Sequence, residues 1–141
     1  MAKTYKYSTE IAQFNDCPPA PCNEINVNAF RFTFEDPSHP DNFKPVLLIA
    51  PERINDSTFA EEEKKCIGYA LSLFNELEKA KKALTKLHDR NPEFPNCVSE
   101  IMIDMNDGKG TEPSNRGHFT FFEYIGTDFY NKIVRIEKLN P

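Results

Sequence analysis

The stretch from Thr58 to Arg90 constrains the fold more than any other part of the chain, because it carries a helical apolar stripe with marked ends. Apolar or small residues recur at Cys66, Ala70, Leu73, Leu77, Ala80, Leu84 and Leu87. Alternating steps of four and three keep them on one side of a helix of about 3.6 residues per turn. Ile67, Leu71 and Phe74 widen the stripe, which suits a helix lying on a sheet better than a narrow coiled-coil seam. Thr58 with Glu61 forms a capping-box pattern, and Glu61, Glu62 and Glu63 complement the positive end of the helix dipole. Lys79, Lys81, Lys82, Lys86 and Arg90 gather toward the other end. Asn91-Pro92 stops the helix, since proline disfavours helical geometry in the residue before it. At about 1.5 Å per residue such a helix would run roughly 45 to 50 Å. It would cross the whole of a compact domain and overhang it, which makes a partner for the overhanging stripe an expectation.

The remaining apolar segments are short and read as strands. Ile25 to Phe34 places Ile25, Val27 and Ala29 on one parity and Phe30, Phe32 and Phe34 on the other. Either both faces are buried or a bulge near Ala29 switches the register. Phe43 to Ala50, with the run Val46-Leu47-Leu48-Ile49, suits a central strand that pairs with the previous one as a hairpin and ends at Pro51. Cys97 to Met105, Phe119 to Ile125 and Lys132 to Leu139 complete the set, although a short helix from Phe129 also fits the last of them. Upstream, Thr4 to Phe14 reads as a short strand or an arm over the core, and Asn15 to Asn23 as a proline-rich loop. The expected fold class is α+β, an antiparallel sheet of about five strands with one long helix, about Thr58 to Arg90, packed across one face. The 141 residues suit a single domain, with residues 1–24 as a strand plus loop or an arm.

Composition narrows the function classes. A net charge of -5, with no Lys/Arg stripe interleaved with aromatics outside the lysine-rich helix end, argues mildly against nucleic acid. No apolar run reaches the roughly 18 residues of a membrane span. Met1-Ala2-Lys3 leads into polar residues rather than a signal-peptide core, so a cytoplasmic protein is expected. In that reducing setting Cys17, Cys22, Cys66 and Cys97 read as buried free thiols.

Chemistry concentrates after the third expected strand. Asp104, Asp107, Lys109, Arg116 and His118 lie in or beside a polar, glycine-containing loop, Asn106 to Gly117, that joins two expected neighbours. If those strands form a hairpin, the groups converge. Lys109 and Arg116 with the loop amides would bind an anion, and Asp104, Asp107 and His118 are the candidates for acid, base or ligand roles, with Glu123 as a further base. Phosphate-loop, dinucleotide and calcium-loop spacings are absent, no cofactor or metal is implied, and no serine stands in a nucleophile-elbow pattern. A Cys97–His118 pair across neighbouring strands is the remaining nucleophile candidate. The expected function is a non-catalytic protein-interaction module, homodimeric or partner-inhibiting. The alternative is a binder or hydrolase of a small anionic ligand using loop 104–118.

Overall fold

The computed structural model describes residues 3–139. Its elements are α1 (Ser8–Ile11), β1 (Asn23–Glu24), β2 (Val27–Thr33), α2 (Val46–Ile49), α3 (Glu62–Ile67), β3 (Leu71–Phe74), α4 (Leu77–Arg90), β4 (Cys97–Ile103), β5 (Gly108–Gly110), β6 (His118–Glu123) and β7 (Ile133–Lys138). The strands form one antiparallel sheet of seven in the order β1-β5-β6-β3-β2-β4-β7. The α+β class therefore holds, with seven strands where about five are expected.

The continuous helix from Thr58 to Arg90 is replaced by helix, strand and helix. Gly68 breaks it: a Cβ there would lie 2.5 Å from Leu47 Cδ1, and glycine is a poor helix former. Beyond it, Leu71-Ser72-Leu73-Phe74 enters the sheet between β2 and β6, where Leu71 and Leu73 are fully buried. A central strand is covered on both faces, so a densely apolar tetrad stabilises it as well as it would a helix. The stripe survives from Leu77 onward, and Asn91, in an extended conformation before Pro92, ends α4 at the expected point. Fourteen residues make α4 about 21 Å long, which leaves no overhang.

The other expected elements divide in the same manner. β2 pairs with β4 from Val27↔Ile103 to Thr33↔Cys97 with no register shift, so both faces of this strand are used and no bulge is needed at Ala29. Phe43 to Ala50 is not a strand: Val46–Ile49 is one helical turn between Pro45 and Pro51, tied to α3 by the Leu47 amide donating to the Gly68 carbonyl. β4, β6 and β7 fall where strands are expected, and a 3-10 turn at Phe129–Asn131 precedes β7. The N-terminal segment contributes α1 and a single bridge, Tyr5↔Tyr124, rather than a strand. The loop after Asp104 contains β5.

Alternation sends Ala29, Leu71, Leu73, Ile101, Phe119 and Phe121 to one face, where Phe43 and Phe129 close over them. The opposite face carries Phe30, Phe74 and Val98 beneath Ala80 and Leu84 of α4. Further along it, Cys66 of α3, Ala70 and Phe122 meet the N-terminal arm. There Cys17 and Cys66 form a disulfide, which corrects the expectation of four free thiols, while Cys22 and Cys97 remain free. Leu84 is fully buried at the centre of the helix contact. Leu84→Ala should cost about 2–5 kcal/mol in urea unfolding. A loss below about 1 kcal/mol would mean that α4 is not docked through this stripe.

Candidate functional site

Two helical layers cover the second face incompletely. α4 lies over β2 and β4, and α3 with the N-terminal arm lies over the end of β3 and β6. Between them is an open groove of about 740 Å³, floored by Phe32, Ser72, His118 and Thr120 and walled by Val46, Ile49, Ile67, Leu87 and Phe94. That volume lies in the usual range of small-molecule sites, about 300–1,000 Å³.

The groove floor takes residues from β2, β3 and β6, and β2 and β3 part beside it. The two strands share only the Phe30↔Phe74 pair, and beyond it Arg31 bridges the split. Its Nε donates to the Asn42 carbonyl at 2.7 Å, Nη2 to the Lys44 carbonyl at 2.9 Å and Nη1 to the Ser72 carbonyl at 3.1 Å. Three neutral carbonyls thus hold a half-buried guanidinium, and among the described residues no carboxylate pairs with it. Burial pulls its pKa down to about 10, although the charge of Glu123, followed by Tyr130 and Tyr7, offsets part of the drop. Three of its five N–H donors are used in these bonds. The other charged lining groups are Lys44, Arg53 and Lys64 against Asp41 and Glu93, a cationic surplus on a chain of net charge -5.

Ser72 and His118 meet on the floor. β3 and β6 pair Ser72 with Thr120 and Phe74 with His118, so the hydroxyl and imidazole are diagonal neighbours on one face. Ser72 Oγ is hydrogen-bonded to His118 Nε2, and the His118 ring packs edge-on against Phe74. Burial lowers the His118 pKa below its ordinary 6.5. The folded state therefore favours neutral imidazole. This contribution to stability is present above the unfolded value of 6.5 and is lost as pH falls through the folded one. Wild-type stability should drop more steeply than that of His118→Gln as pH is lowered from 7 through this window, measured by urea midpoints. Equal slopes would show that the imidazole is freely solvated.

The loop candidates do not share one pocket. Asp104 and Asp107 face Lys132, whose Nζ is 3.2 Å and 3.0 Å from their Oδ2 atoms, and the Asp104 amide donates to Asp107 Oδ2. They build a turn anchored to the start of β7. The Asn106 amide, followed by Lys132, holds the Asp104 carboxyl below the usual range. Lys109 is on β5 opposite Glu24 and Phe122. Arg116 is exposed at the tip of the β5–β6 loop, beside Gly117, whose positive φ of 80° and contacts with Asn75 and Lys79 leave no room for a side chain. Glu123 is buried and paired with Lys6 at 2.7 Å, with its pKa raised by burial. Cys97 is on β4, separated from His118 on β6 by β2 and β3. Of the five residues proposed from the loop, only His118 enters the groove.

Arg31 and Ser72 are groove residues that sequence reasoning missed. Arg31 is the only charged residue between Ile25 and Phe34, a signal in itself. Ser72 is hidden by the helical reading of its neighbours. Among the described residues no group of three or more His, Cys, Asp or Glu side chains has metal-binding proximity. No protein-family model, curated protein or solved structure matches the chain.

Proposed function

We propose that this protein binds a small organic anion with an apolar body, held in the groove with its head group against Arg31. The observation that carries the reading is the half-buried guanidinium with no carboxylate in salt-bridge contact among the described residues, at the wall of a groove lined mainly by apolar side chains. A cation in that position is stabilised when a ligand supplies its counter-charge, and the apolar walls gain by losing contact with water. Ser72 and His118 add a hydroxyl and a neutral imidazole to orient the head group. Titration of the full chain with anilinonaphthalene sulfonate tests this. A saturable fluorescence rise that decanoate reverses supports the reading, and no saturable signal at native pH overturns it.

The protein-interaction reading has a separate basis. β7 is an edge strand, with Val134 and Ile136 exposed at 51% and 37%. A partner strand added there, from a second copy or another protein, would cover them. Light scattering that returns a monomer across a wide concentration range removes the self-associating form. Among the described residues no helix is long and apolar enough to cross a membrane. A cytoplasmic setting would require the Cys17–Cys66 bond to persist where disulfides are rare.

A further inference from the structure

We infer that Ser72 and His118 form a nucleophile–base pair that cleaves esters of apolar acids, so that the anion held by Arg31 is the carboxylate product. The inference rests on the binding role proposed for the groove and adds a reaction to it. Three observations concern Ser72 and its neighbours. Ser72 Oγ is open to the groove and hydrogen-bonded to His118 Nε2. The partly buried imidazole is kept neutral and able to accept a proton. The Arg31 guanidinium donates to the main-chain carbonyl oxygen of Ser72 across the β2–β3 split, which fixes the backbone that carries the nucleophile.

The chemistry balances with water as the only co-reactant. Ser72 Oγ attacks the ester carbonyl carbon while its proton passes to His118 Nε2, and negative charge develops on the carbonyl oxygen. Collapse breaks the bond to the alcohol oxygen, which leaves with the proton from His118 and gives an acyl-serine. Water then attacks the acyl carbon, giving a proton to His118, and Ser72 Oγ takes that proton back as the acid departs. Phe32, Leu87 and Phe94 provide apolar surface for the acyl chain.

The test exposes the full chain to an alkyl fluorophosphonate, with intact mass and peptide mapping as readouts, alongside turnover of p-nitrophenyl octanoate. One phosphonate per chain on Ser72 is expected. His118→Gln should slow labelling and turnover about 100-fold or more, and Ser72→Ala should abolish both. Labelling should lose its rate toward low pH with a midpoint below 6.5, following the imidazole. Modification elsewhere, or equal labelling of wild type and His118→Gln, overturns the inference. Anilinonaphthalene sulfonate binding by the wild type separates the two readings: dye bound without Ser72 labelling defeats the reaction alone, and labelling without dye binding defeats the anion reading alone.

Discussion

Replacing Arg31 with Met is expected to weaken binding of an apolar carboxylate tenfold or more and to lower stability by about 1–3 kcal/mol. The two effects share one cause. The side chain satisfies the carbonyls of Asn42, Lys44 and Ser72 at the split between β2 and β3. Methionine fills similar volume but donates no hydrogen bond, and of the three acceptors the one on the buried Asn42, left unsatisfied, costs about 1–3 kcal/mol, while those on the exposed Lys44 and Ser72 turn to water. Water entering from the groove would offset part of that cost. The affinity loss reflects removal of a charge-assisted pair with the ligand, worth about 1.5 kcal/mol or more. Arg31→Lys separates the contributions, because an ammonium keeps the charge but cannot span three carbonyls in a planar fork. It should retain more affinity than Arg31→Met while losing much of the same stability, read from denaturant midpoints and ligand titration. Unchanged affinity in both variants would remove Arg31 from the site.

Breaking the Cys17–Cys66 bond should destabilise the fold by about 4 kcal/mol, since it closes a loop with a sequence separation of 49. For a chain of this size that corresponds to a fall of about 10 °C or more in Tm. The bond fastens the N-terminal arm to α3, whose Cys66 is buried beside Ala70 and Phe122. The same helix gives Lys64 and Ile67 to the groove, so ligand affinity should fall with it. Thermal melts with and without reductant, compared with Cys17→Ser/Cys66→Ser, measure the effect. A reduced protein that melts within about 2 °C of the oxidised one would show that the arm is held by packing alone.

What could be read from the sequence follows the uniqueness of each local pattern. Leu77, Ala80, Leu84 and Leu87 fit only a helical period, and Asn91-Pro92 marks its end, so α4 is legible from Leu77 onward. Upstream, Ala70, Leu73 and Leu77 keep the helical spacing while Leu71 and Leu73 satisfy a strand equally well. Tertiary context decides that ambiguity, through the place of β3 between β2 and β6. Val46-Leu47-Leu48-Ile49 is another short apolar run that periodicity cannot assign, and the flanking prolines with the Leu47–Gly68 hydrogen bond select a helical turn. The disulfide was not legible because its partners meet only when the arm packs on α3.

The candidate site was legible at His118 alone. Asp104 and Asp107 look like chemistry in sequence, yet Lys132, arriving from the start of β7, neutralises them in a structural turn. β2 and β3 separate beside the groove, and no segment of sequence announces that separation. Arg31 is conspicuous as a charge inside an apolar strand, but its three carbonyl partners come from the segment before α2 and from β3.

The most direct test is calorimetric titration of the wild-type chain with decanoate and with decanol below their aggregation limits, with chemical shifts followed in parallel. One decanoate per chain should bind at least tenfold more tightly than decanol and perturb Arg31, Phe32, Ser72, Leu87 and His118. Equal affinities for acid and alcohol, or shifts confined to residues outside the groove, would contradict the assignment of Arg31 as the anion partner.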